Sequence, residues 1–258
     1  MHALNFLDCN CGVGPWAGGS GARYGDSVAT LLGKMDSLGI AEACPYALSE
    51  YEGNAGSGNA ELAEALRGQP RLHPVLVVGP NACGEFLSAR DLPARMSACG
   101  ARMARLPLGP FTAMKELEVR LIEDLLDEMN LRRIPLLIDC IASIDQAPLD
   151  PLIEILSTWQ NIHVILSFPK VEAGERRLFY LWERFNNFHV ELAGYQGLGM
   201  IEDVSRRFGG SRIIYGSRYP HFTPMQSMLQ VIYSAVEPSV KQEIAGGTLR
   251  RVLGEVVS

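Results

Sequence analysis

The chain has 258 residues, 47% hydrophobic and 20% charged, a globular composition that excludes disordered and fibrous classes. Its 23 basic and 29 acidic residues give a formal charge of −6 with no Lys/Arg run, which excludes the clustered cations that nucleic-acid binding needs. No apolar run reaches the roughly 20 residues of a membrane span, and Met1 to Asp8 form neither a basic n-region nor a long h-region, so the expectation is a cytoplasmic protein without nucleic-acid or membrane partners.

Leu4–Asp8 reads as a first strand, short and apolar. Asp26 or Ser27 then caps a helix that runs to Leu38 and is stopped by Gly39. Ile40–Cys44 is the second strand, and Gly53–Asn59 reads as a flexible rim loop rich in Gly, Ser and Asn. Leu72–Val78 and Ala101–Leu106 are the third and fourth strands. Met114–Met129 carries Met114, Leu117, Leu121, Leu125 and Met129 at helical spacing. Pro135–Asp139 and His163–Ser167 follow, then a helix over Glu175–Phe185 with Leu178, Leu181, Trp182 and Phe185 on one face. His189–Leu192 and Arg212–Tyr215 complete eight strands, and helices over Met225–Val236, Val240–Ala245 and Leu249–Val256 end the chain.

Strand then helix, repeated eight times without a linker, predicts a parallel sheet with right-handed crossovers. Eight units in 258 residues favour a single-domain (β/α)₈ TIM barrel over residues 1–258, with some distortion allowed, over an open doubly wound sheet. Chemistry then belongs at the C-terminal ends of the strands.

The first strand runs into Asp8-Cys9-Asn10-Cys11-Gly12. A strand period of two puts Cys9 and Cys11 on one side, where both can face the barrel mouth as thiol ligands or nucleophiles. The alternative is two ordinary reduced thiols, like the other four cysteines. Asp139 follows four apolar residues and must reach the mouth, as base or ligand, or be paired. Gly216-Ser217-Arg218-Tyr219-Pro220-His221 ends the eighth strand. Arg218 offers a cationic fork for a carboxylate or phosphate, or else pairs with Asp139 or Glu191. His221 is a proton-transfer candidate. Ser167, Lys170, Glu191 and Tyr219 are substrate-contact candidates at the same end. His2, His73, His163 and His189 precede or open strands and receive no role.

The segment from Leu198 to Asp203, with Arg207 to His221, resembles the amidohydrolase superfamily, and most closely its amidohydrolase-related metal-dependent hydrolases, a branch that includes decarboxylases and lactonases. There the eighth strand reads G-S-D-x-P, often with a following His. Ile244 to Leu253 resembles the family's closing helix, with Thr248 where Asn is usual. The resemblance implies a TIM barrel with a metal site of H-x-H, His, His and Asp. Here those positions hold Cys9 and Cys11, Asp139, Ser167 or Phe168, and Arg218.

A guanidinium stays protonated and repels a divalent cation within about 5 Å by several kcal/mol at an effective dielectric near 20. The expectation is therefore that no cofactor is needed. Three functions remain open. One is a metal-independent hydrolase, of the lactonase or cyclic-amide type, acting on a small anionic substrate: Arg218 holds the anion, Asp139 or His221 activates water, or Cys9 or Cys11 attacks. The second is a non-catalytic relative used for ligand binding or assembly. The third is a zinc hydrolase ligated by Cys9, Cys11 and Asp139. Exposed aromatics among Phe179, Tyr180 and Tyr233 would suit a homodimer face.

Overall fold

The computed structural model describes residues 4–17, 23–24, 27–49, 55–82, 84–109, 112, 114–140, 149–168, 175–195, 197 and 199–257. Eight parallel strands run in order: β1 (Phe6–Val13), β2 (Ile40–Ala47), β3 (Val75–Val77), β4 (Met103–Leu108), β5 (Leu136–Cys140), β6 (Val164–Ser167), β7 (Phe188–Glu191) and β8 (Ile213–Ile214). They coincide with the eight runs read from the sequence. β3 to β8 form one six-stranded sheet and β1 and β2 a pair.

Two seams close the barrel. On one, Ala43 of β2 bridges Leu72, just before β3. On the other, the Cys9 N–H donates to Tyr215 O (3.1 Å), the Arg218 N–H to Asn10 O (2.7 Å) and the Gly12 N–H to Tyr219 O (2.6 Å). Both seams are thus held by backbone hydrogen bonds. The distortion lies in the short β3 and β8.

Helices cover the outside: α1 (Val28–Leu38), α2 (Ala55–Ala65), α3 (Leu92–Cys99), α4 (Glu123–Arg132), α5 (Leu149–Thr158), α6 (Glu175–Arg184), α7 (Met200–Phe208), α8 (Pro224–Tyr233), α9 (Pro238–Gln242) and α10 (Thr248–Gly254). Ser27 caps α1 by accepting from the Thr30 N–H, and Gly39 ends it at φ 71°, the left-handed region where glycine is unstrained. Asp26, the other cap candidate, lies outside the described residues. Among the described residues no helix is long and apolar enough to cross a membrane.

Three local expectations are corrected. Asn59 is not in a loop: helix α2 begins at Ala55, and the Asn59 amide docks on β3, donating to Val77 O and accepting from Val77 N, both at 2.8 Å. Residues 53 and 54 lie outside the described residues. The helix expected from Met114 starts only at Glu123. Met114 instead pairs with Leu108 in a parallel bridge, and Leu121, 55% exposed, is not on the buried stripe. Phe179 packs edge-on against Trp182, with centroids 5.6 Å apart, whereas Tyr180 and Tyr233 remain exposed.

Strand side chains alternate between two apolar layers. Leu7, Cys9, Cys44, Tyr46, Val75, Val77, Met103, Leu137, Ile165 and Ile214 fill the lumen, closed below by Leu249 and Leu253 of α10. Their strand neighbours pack outward against the helices.

Candidate active site

The same alternation aims Arg105, Asp139, Ser167 and Glu191 into the lumen. Each is two residues from a lumen-filling neighbour or in register with one, and Asp139 stands opposite Ser167 across β5 and β6. Their side chains meet above the apolar layer near the C-terminal strand ends, where a TIM barrel carries its chemistry.

Asp139 is fully buried between two guanidiniums. Arg218 Nη1 lies 2.5 Å from Asp139 Oδ1 and Arg218 Nη2 3.3 Å from Oδ2, while Arg105 Nη2 also donates to Oδ2. Arg105 Nη1 donates to Asn10 Oδ1 at 2.9 Å, and its guanidinium stacks 3.7 Å from the Tyr46 ring centroid. Ser167 Oγ accepts from Arg218 Nη1 (2.8 Å) and Asn10 Nδ2 (3.0 Å), so its own proton goes to Glu191 Oε2 at 2.8 Å. The Ala193 N–H holds the other Glu191 oxygen at 3.1 Å. Asp8 Oδ1 accepts from the Asn10 and Ser217 N–H groups, at 3.1 and 2.9 Å.

The environment separates these carboxyls. Burial alone would raise Asp139, but Arg218 and Arg105 outweigh it and hold it below the usual range. Burial pushes Glu191 up to about 7, against the pull of Arg218 and the Ser167 hydroxyl. Burial likewise raises Asp8 to about 6. His221, whose N–H donates to Arg218 O at 2.9 Å, is lowered to about 4 by burial and then by Arg218 and Arg105.

Thus Asp139, Arg218, Ser167 and Glu191 come together as one network with His221 beside it. Arg218 occupies a left-handed backbone conformation, φ 51°, which a side-chain-bearing residue adopts at a cost. Lys170 lies outside the described residues. Tyr219 is buried and packs within the larger apolar cluster.

The two cysteines do not share a face, contrary to the strand-period expectation. The β1–β2 register slips between Asp8 and Cys11, so Cys9 and Asn10 both turn inward and Cys11 turns outward. One extra residue in a ladder reverses every following side chain. Burial raises both thiols well above their usual range. Burial thus disfavours the thiolate at both positions, and among the described residues the trio Cys9, Cys11 and Asp139 forms no metal-holding group.

Sequence reasoning missed Arg105 and Asn10. Arg105 had a signal: a charge inside Met103–Leu108, which is buried throughout. The same rule picked out Asp139.

No family model matches the sequence, and no curated protein matches it. Solved structures do. The 5-carboxyvanillate decarboxylase of Sphingomonas paucimobilis has a TM-score of 0.76 at 12% identity, covering 99% of this chain and 100% of that one. An amidohydrolase II structure has a TM-score of 0.73 at 12% identity, over 97% of this chain and 100% of that one. The dihydroxybenzoic acid decarboxylase of a Polaromonas species, with bound manganese and an inhibitor, has 0.72 at 13% identity, over 98% and 97%. These likenesses show the fold, a TIM barrel.

The manganese in that neighbour poses a test of donors. Two guanidiniums take the Asp139 oxygens, the inward thiol of Cys9 is held protonated by burial, and among the described residues no three His, Cys, Asp or Glu side chains form a metal-holding group. These residues do not fit a divalent cation.

Proposed function

We propose that this chain is a metal-independent barrel of the amidohydrolase architecture acting on a small carboxylated or otherwise anionic substrate, with hydrolysis as the reaction class. The supporting observation is Arg218. At 6% it is the most exposed of Arg218, Asp139, Ser167, Glu191, Arg105 and Asn10, and it stands at the end of β8. Arg105, Arg218 and Asp139 carry a combined charge of +1, and a guanidinium fork suits a carboxylate. Glu191, near 7, is the matched group for moving a proton at neutral pH. The decarboxylase neighbours, by their names, act on aromatic carboxylates.

Calorimetric titration with 5-carboxyvanillate and 2,6-dihydroxybenzoate in chelating buffer tests this. Arg218→Ala is expected to weaken binding at least about tenfold, the scale of one charge-assisted hydrogen bond. Equal binding by that variant, or no binding by the native chain, overturns the reading.

A second reading, ligand binding without catalysis, draws support from Ser167. Its oxygen accepts two hydrogen bonds and donates one, leaving no lone pair for attack or for water activation. Turnover of a lactone and cyclic-amide panel, with chelator and with added zinc or manganese, separates the two.

A further inference from the structure

The opposite end of the barrel holds a second buried polar chain, built from histidines to which the sequence assigned no role. His163 precedes β6 and His189 lies in β7. His189 Nδ1 is 2.7 Å from the Ser211 carbonyl, His189 Nε2 is 2.8 Å from His163 Nδ1, and His163 Nε2 is 3.3 Å from Glu255 Oε2 at the end of α10. A groove of about 410 Å³, lined by His163, Gln160, Arg184 and Asn187 among others, opens this chain to solvent.

Counting protons decides what the chain can do. A backbone carbonyl only accepts, so His189 Nδ1 carries hydrogen. With His189 neutral, its Nε2 is then a lone pair, and His163 Nδ1 must supply the hydrogen between the rings. Two neutral rings hold two N–H groups, both now used. The third contact, His163 Nε2 to Glu255, then faces a lone pair against a carboxylate, and it is the longest of the three.

We propose that His163, His189 and Glu255 form a one-proton switch at the base of the barrel, in which a proton added to His163 closes an ion pair to Glu255 that the neutral pair cannot make. That bond ties the end of α10 to the start of β6. The other groups facing the chain set its threshold. Burial opposes the proton on His163, as do Arg251 and Arg133, while Glu255 favours it. Burial holds His189 neutral, down to about 3, helped by His163, Arg212 and Arg251. Glu255 also holds Arg251 at 3.0 Å, so closing the switch shares one carboxylate between two cations.

Ring-nitrogen NMR of the full chain between pH 4 and 8 tests this, with Glu255→Gln as the comparison, a substitution at a part-exposed position that preserves shape. His189 is expected to keep its hydrogen on Nδ1 throughout. His163 is expected to take up a single proton on acidification, below the ordinary histidine range. Glu255→Gln should lower that midpoint further, by about 1 unit. An unchanged His163 midpoint in the variant, or a His189 that carries hydrogen on Nε2 or titrates in this range, overturns the proposal.

Discussion

Arg218 Nη1 and Asp139 Oδ1 lie 2.5 Å apart across the barrel, although β5 and the β8 end that carry them are separated by two intervening strands. The pair spans the lumen. Both side chains are buried, and Arg105 reaches the same carboxylate from β4. A negative charge held by two positive ones at the strand ends is the physical centre of this molecule.

Removing that negative charge should be costly. Asp139→Asn leaves two buried guanidiniums facing a neutral amide, and breaking a buried pair in this way costs about 3–5 kcal/mol. Urea unfolding followed by circular dichroism measures it. Combining Asp139→Asn with Arg218→Met should cost about 0.5–3 kcal/mol less than the sum of the two, because the second change removes a cation the first left unpaired. Strict additivity would show that the pair is not coupled.

Glu191 gives the pH dependence a defined sign. Its folded value, about 7, is raised from the usual 4.5 by burial. The folded chain therefore binds more protons than the unfolded chain in that window, and the Glu191 contribution is fully present below 4.5 and lost as pH rises through 7. The lowered histidines His189 and His221 act oppositely, their contribution falling as pH drops below 6.5. Asp8, raised by burial to about 6, acts in the same direction as Glu191, so the comparison with Glu191→Gln is what isolates the Glu191 term. Unfolding midpoints at pH 5 to 8 should show Glu191→Gln gaining on the native chain as pH rises, by on the order of 1–3 kcal/mol in total. A pH-independent difference would place the Glu191 proton elsewhere.

The strands were legible because runs such as Leu136–Ile138 and Val164–Leu166 are apolar on both faces, and a strand buried on both sides needs that composition. The strand-end rule brought Asp139, Ser167, Glu191 and Arg218 forward for the same reason. What the sequence hid depends on register. Cys9 and Cys11 fit a strand period that the slip after Asp8 breaks, and nothing in Asp8 to Gly12 announces a bulge. Asn10 gains its place in the network through that slip. Met114 and Leu117 look helical in spacing because buried loops also need apolar residues. The roles of His163 and His189 depend on contacts to Ser211 and Glu255, far along the chain.

Gly194 controls the approach of the β7 end to the β6 end. A Cβ there would stand 1.6 Å from the Phe168 carbonyl oxygen, which is backbone and cannot rotate away. Gly194→Ala must therefore displace one strand end from the other and loosen the Ala193 N–H bond to Glu191. The expected result is a loss of more than about 2 kcal/mol, in the upper part of the usual range for a single substitution. A native-like unfolding midpoint would show that the loop after Glu191 moves freely.

The thiols offer a test of the lumen itself. Cys9, Cys11, Cys44 and Cys140 are buried, with burial raising each thiol, Cys140 to about 12. Reaction with a disulfide reagent requires the thiolate and access, so these four should be silent in the folded chain. Cys99, at the end of α3 and only half-buried, should label first among the described cysteines. Timed labelling with peptide mass mapping should find Cys9 and Cys11 modified only at the rate of unfolding and together with Cys44. Selective rapid labelling of Cys9 would show an accessible thiolate and would restore a cysteine nucleophile as the centre of the chemistry.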